Sequence, residues 1–246
     1  NTIANLNLLN TNRVTDMSYM FAYCGDKKME SLNLGDKFNT SEVTNMSHMF
    51  EGCGQEEMTS LNLGTNFDTS KVTDMSSMFQ NCGQNAMTTF SLGSGFNTTQ
   101  VTNMSGMFQN FGHKLESLDL GTQFYTSSVT DMSNMFNGCG QIEMITLTLG
   151  NNFNTSQVTN MSGMFQNCGQ TKFTSLDLGD LFYTTSATDM SNMFNGCGTT
   201  AMTGLDLGPA FTKIADTNTG FVTNCGKSGA VIYAPESIYQ DANNFK

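Results

Sequence analysis

The chain has 246 residues, 38% of them hydrophobic, which is enough apolar material for a continuous core. Its 10 basic residues against 21 acidic ones, a formal charge of -11, exclude a phosphate backbone or an anionic lipid surface as the natural partner. No run approaches the roughly 18 consecutive apolar residues of a membrane span, and the opening NTIANLNLLNTNR has neither the basic start nor the apolar block of a secretion signal.

No nucleic-acid partner and no membrane insertion by this segment are therefore expected. Asn1 is not an initiator methionine and the sequence opens inside a repeat, so the chain is expected to be part of a longer protein. Alignment on the Met-Phe dipeptides places Met20, Met49, Met78, Met107, Met135, Met164 and Met193 at a step of 29 residues, broken once by 28. A fixed period of this size marks a stacked repeat architecture. The expected fold is a repeat solenoid of 28–29-residue units, with a parallel β-sheet on one face and short helical or 3-10 turns on the other. Residues 1–208 carry seven repeats. Residues 209–246 carry a degraded eighth copy, FVTNCG with Phe221 in the Met position, and a tail. Copies 58 residues apart, FYTSSVTDMSNMFNGCG from Phe124 and FYTTSATDMSNMFNGCG from Phe182, differ at two positions, which points to duplication in pairs.

Each unit opens on apolar-x-x-Leu-x-Leu, as in Met29, Leu32, Leu34 and in Leu115, Leu118, Leu120. Such short alternation predicts a strand with one buried face. The Gly after the second Leu, from Gly35 to Gly208, predicts a tight bend. The following Phe38, Phe67, Phe96, Phe124, Phe153, Phe182 and Phe211 are expected to turn inward at the corner. Val-Thr-Asp or Val-Thr-Asn then reads as an N-cap leading into one helical or 3-10 turn over the MSxMF block.

Of the 19 Met, 14 sit in the MSxM blocks, and Met29, Met58, Met87, Met144 and Met202 share a position that Leu115 and Phe173 fill elsewhere. A position that accepts Met, Leu or Phe is a core position. Cys24, Cys53, Cys82, Cys139, Cys168 and Cys197 also share one position, with Cys225 in the degraded copy and Phe111 in the fourth repeat. Turns about 4.8 Å apart would permit bridges between neighbours. The Phe substitution and the odd number of Cys favour buried free thiols. One Cys per turn and His48 and His113 in different positions give no zinc pattern. No cofactor is expected.

The capping position alternates acid and amide: Asp16, Asn45, Asp74, Asn103, Asp131, Asn160, Asp189. Alternation separates like charges, and the amides could hydrogen-bond the flanking carboxylates, so these residues are expected to form a structural ladder. Calcium between the turns is disfavoured because half of the ligands would be neutral amides.

The succession apolar-x-x-Leu-x-Leu-Gly, Val-Thr, Met-Phe-x-x-Cys, with the strings VTDMSNMFNGCG and VTNMSGMFQNCG, resembles the BspA-like class of bacterial leucine-rich repeats. The tail VIYAPESIYQDANNF resembles the strand and helix that close many arrays of that class. The resemblance implies an exported or surface protein, part of a longer one, that binds host, matrix or neighbouring-cell proteins or glycans, with no enzymatic activity. The residues agree, since no Ser/His/Asp or Cys/His set recurs and no phosphate loop follows a strand.

The candidate binding face is the outward position between the two Leu of each strand: Asn33, Asn62, Ser91, Asp119, Thr148, Asp177 and Asp206. It is polar and turns acidic toward the C-terminus, which suits weak, avidity-dependent contact with basic proteins or glycans. The alternatives are a spacer holding another domain away from a cell, and ice binding through Thr40, Thr69, Thr98, Thr126, Thr155 and Thr184. Side-chain-to-backbone bonds would explain those Thr equally well. An uncovered first turn could also associate end to end with another chain.

Overall fold

The computed structural model describes residue 3, residues 6–25 and residues 27–239. The chain winds as a parallel β-solenoid with one repeat per turn. The strands are β1 (Ser31–Asn33), β2 (Ser60–Asn62), β3 (Ser117–Asp119), β4 (Thr146–Thr148), β5 (Ser175–Asp177), β6 (Gly204–Asp206) and β7 (Val231–Tyr233). Each of the first six buries its central Leu between two more exposed residues. The Gly after the second Leu is left-handed, with φ of 74° at Gly35 and 80° at Gly64, and this ends the strand after three residues.

The strands pair two by two. β1 pairs with β2, β3 with β4 and β5 with β6, all parallel and in register, and β7 joins β6. The sheet is therefore not continuous. In the repeat that carries Phe111, Phe90 replaces the first Leu, and residues 89–91 form no strand. The same pairing appears at the bends: a Cβ on Gly64, Gly150 or Gly208 would meet the carbonyl oxygen of the preceding bend at 2.4, 2.8 and 2.1 Å, whereas one on Gly93, Gly121 or Gly179 would meet nothing within 4 Å.

The expected helical or 3-10 turn over MSxMF is replaced by a ribbon of turns. In the first repeat the N–H groups of Met20, Ala22 and Cys24 donate to carbonyls three residues back, as in a 3-10 helix. The alternate N–H groups of Met17, Tyr19, Phe21 and Tyr23 instead donate to Asn45, Ser47, Met49 and Glu51 of the next turn, at 2.6–3.1 Å. Left-handed residues make this alternation: Tyr19 and Tyr23 have φ of 57° and 55°. Later repeats place Asn and Gly there in antiphase, Asn134 and Gly138, then Gly163 and Asn167, then Asn192 and Gly196. Each Asn leans over the Gly of the next turn, with Asn134 Oδ1 2.4 Å from where a Gly163 Cβ would lie and Asn110 Oδ1 2.2 Å from a Gly138 Cβ. That contact explains why copies two repeats apart are the near-identical ones.

The interior is two columns of rings sheathed in Met, Leu and Val. Phe21, Phe50, Phe79, Phe108, Phe136, Phe165 and Phe194 stack with centroids 5.4–5.7 Å apart. The corner Phe residues stand inward as expected, and from Phe67 to Phe211 they stack at 6.1–6.4 Å. Every Met is buried except Met20 of the first turn, which is 39% exposed. The 28-residue step is absorbed after Gly112, where the Leu115 N–H bonds three residues back; Met29 and Met202 bond four back, to Gly25 and Gly198.

At the C-terminal end, Phe221 stands edge-on to Phe194 at 5.4 Å, β7 extends the sheet, and α1 (Glu236–Tyr239) buries Ile238. The rest of the expected terminal helix lies outside the described residues. At the other end the carbonyls of Asp16, Ser18, Met20 and Ala22 accept no bond among the described residues.

Candidate functional site

The outward positions of the strands form one exposed column, Asn33, Asn62, Ser91, Asp119, Thr148, Asp177 and Asp206. Most of these side chains have a local task. Oδ1 of Asn33, Asn62, Asp119, Asp177 and Asp206 accepts the N–H of the Gly two residues on, at 2.8–3.0 Å, and Ser91 Oγ does the same at 3.3 Å. An Asx bond of this kind helps turn the chain at the left-handed Gly. It explains the preference for Asn and Asp without a ligand. The second carboxylate oxygen of each Asp takes no part in that bond.

The C-terminal half of the column carries the charge. Asp177 and Asp206 are register partners on β5 and β6, and Asp119 faces Thr148. Like charges directly opposite on neighbouring strands are destabilising, and two carboxylates about 5 Å apart repel by roughly 1 kcal/mol in water and 3 kcal/mol at an effective dielectric near 20. A cation placed between them relieves that repulsion.

The column has one further member that strand spacing alone did not reveal. β7 pairs with β6 so that Tyr233 stands opposite Asp206. The signal lay in the tail, where Val231, Ile232 and Tyr233 repeat the strand pattern with Tyr in the outward position. Tyr233 is 57% exposed and Val231 49%.

The acid and amide ladder is structural. Asp16, Asn45, Asp74, Asn103, Asp131, Asn160 and Asp189 are linked in succession as parallel bridges. Each accepts, through Oδ1, the N–H of the Ser two residues on, at 2.8–3.1 Å. The expected amide-to-carboxylate bonding between turns occurs at Asn45 and Asp16, 3.4 Å apart. In the Asn turns Oδ1 is doubly engaged within its own turn, because the hydroxyls of Ser47, Ser105 and Ser162 also donate to it at 2.8 Å.

Cys24, Cys53, Cys82, Cys139, Cys168, Cys197 and Cys225 are all free. Burial raises the thiols of Cys82 and Cys139 well above the ordinary value, and that of Cys225 to about 12. A hydrogen bond with Cys168, then burial, raises Cys197. Thiolate chemistry is thereby suppressed. The column that the ice-binding reading required is interior: Thr40, Thr69, Thr98, Thr126, Thr155 and Thr184 are at most 1% exposed. Five of them donate Oγ1 to a carbonyl of the next turn, Thr40 to Asp68 at 2.7 Å for example. Those hydroxyls cannot meet ice.

Among the described residues no group of three or more His, Cys, Asp and Glu is placed to hold a metal ion, and no helix is long and apolar enough to cross a membrane. No curated protein and no solved structure matches the chain. A family model described as a Mycoplasma protein of unknown function, DUF285, matches residues 1–118, 53–144 and 112–203. Overlapping matches that advance along the chain are what a tandem array of turns produces, and the chain belongs to the DUF285 repeat family.

Proposed function

We propose that the chain is a non-enzymatic binding or adhesion module of a cell-surface or secreted protein, using the outward column of its sheet. The observation that carries this reading is the succession Asp119, Thr148, Asp177, Asp206 and Tyr233 on one exposed face, where register sets carboxylates beside one another and beside an aromatic ring. The natural partners are extracellular or host proteins with basic surfaces, or glycans. The likeness of the VTDMSNMFNGCG strings to BspA-like surface repeats supports the same setting. Repetition of one face at each turn suits many weak contacts acting together.

A binding screen of the whole chain against matrix proteins, mucin and glycans at low and high salt tests this. Binding is expected to weaken with salt, because exposed charges are screened within about 10 Å at 0.1 M. The combined change Asp119→Asn, Asp177→Asn, Asp206→Asn is expected to weaken it further. Binding that survives both sinks the reading of this face. The absence of any binding favours the spacer, a role suited by the ribbon of turn-to-turn bonds that runs from Met17 to Thr223.

A further inference from the structure

We infer that the C-terminal end of the sheet face receives an arginine side chain from a basic segment of the partner. This rests on the binding reading above and narrows it to one place. Residues that depart from the repeat meet there. Gly204 stands where other strands begin with Ser31, Ser60, Ser117, Thr146 and Ser175. The ring of Tyr233 lies over it, with Cε2 3.6 Å from the point a Cβ would take. Pro209 stands where earlier bends carry Asp36, Thr65 or Asp180. Asp206, Gly208, Pro209, Tyr233 and Pro235 line a single cleft.

The chemistry of the cleft selects its occupant. Two prolines offer apolar wall, Tyr233 offers an exposed aromatic face, and Asp206 offers a carboxylate whose Oδ1 already holds the Gly208 amide at 3.0 Å. A long side chain with an apolar stem and a planar cation at its tip uses all three. Guanidinium stacks on aromatic faces and gives up its water more readily than ammonium, so arginine fits better than lysine. Asp177, one turn away in register with Asp206, adds a second charge of the same sign. A sugar could use the Tyr face alone, and its binding would then ignore salt.

The test is a titration of the isotope-labelled full chain, followed by amide chemical shifts, with acetyl-Gly-Arg-Gly-amide, the Lys counterpart and a neutral disaccharide, at low and high salt. Saturable shifts at the amides of Gly208 and Tyr233 are expected. Arg is expected to bind at least about 3-fold tighter than Lys, with loss at high salt. Tyr233→Phe retains the ring and is expected to bind as the parent does; Asp206→Asn is expected to weaken binding; Tyr233→Ala is expected to abolish it. Should Tyr233→Ala loosen the end of the sheet, the first two variants still decide. Equal affinity for Arg and Lys, indifference to Asp206→Asn, or salt-independent binding of the disaccharide alone would overturn the assignment. Shifts confined to Asp119 and Asp177 would overturn it while leaving the wider face in place, and no shifts anywhere on the face would count against both.

Discussion

Phe90 and Phe111 depart from the repeat at the two ends of one unit, and their rings meet edge to face at 5.0 Å. Phe111 also lies 5.8 Å from Phe79 and 5.6 Å from Phe108, and is fully buried. Restoring the repeat residue by Phe111→Cys empties most of a ring from this cluster, a large-to-small change that costs about 3 kcal/mol. Phe90→Leu restores the residue of the other strands at a partly buried position and costs about 1 kcal/mol. With both changes the remaining ring no longer faces a void, and residues 89–91 regain the Ser-Leu-Asn-like pattern that forms strands elsewhere. The double variant is therefore expected to lose less than the sum, by about 1 kcal/mol, the worth of one edge-to-face pair plus shared cavity. Urea unfolding of the four proteins, followed by tyrosine fluorescence and far-ultraviolet circular dichroism, measures the cycle; coincidence of the two signals licenses the free energies. Additivity within about 0.5 kcal/mol would refute the coupling.

Two further outcomes are expected. Gly179→Ala places a Cβ in open space at φ 74° and is expected to cost about 1–2 kcal/mol, whereas Gly208→Ala, at φ 72°, drives a Cβ to 2.1 Å from the Gly179 carbonyl oxygen. The latter is expected to cost at least about 3 kcal/mol more; equal urea midpoints would show that the bends do not approach in pairs. His113 has a buried Nε2 with no partner, and burial holds its imidazole below the ordinary value. On acidification the unfolded chain takes up that proton first, so the stability is complete above the unfolded value, about 6.5, and declines as pH falls through and below it. His113→Gln supplies the residue of turns where Gln84 and Gln170 donate to Asn81 and Asn167 at 3.3 and 3.1 Å, and is expected to flatten the fall in urea midpoint between about pH 7 and pH 5. An unchanged slope would assign the acid sensitivity to other groups.

Period and interior were readable from single positions. A place that holds Cys in most turns and Phe111 in one had to be apolar interior, and Met, Leu and Phe sharing the place of Met29 had to be core. The ribbon of turns was harder to read because its signal is split. Left-handed residues are Asn or Gly in the later turns, but Tyr19, His48 and Ser77 occupy the same place in the first three, where Tyr19 and His48 stack at 4.4 Å. The cap-like Asp or Asn ahead of that segment reads as a helix start, and its bond to the Ser N–H is indeed made. What defeats a helix is the left-handed residue that follows. The gap between β2 and β3 follows from Phe90, whose bulk against Phe79 and Phe111 outweighs the strand pattern around it; the gap between β4 and β5 has no such mark in the sequence. The tail repeats the strand pattern at Val231, Ile232 and Tyr233, and pairing between β6 and β7 sets Tyr233 in the outward column opposite Asp206.

The antiphase of Asn and Gly also bears on how such a gene can change its length. An unequal crossover between copies 58 residues apart, such as those starting at Phe124 and Phe182, inserts or removes two turns and leaves each junction chemically as it was. A crossover between adjacent copies instead creates a junction where Asn follows Asn, as at Asn81 and Asn110, whose side chains must then bond to each other at 3.1 Å, or where Gly follows Gly and the supporting side chain is missing. The unit that can be repeated without disturbing the Asn-to-Gly contact is thus the pair of turns, and the Asn81–Asn110 junction shows what a single inserted turn leaves behind.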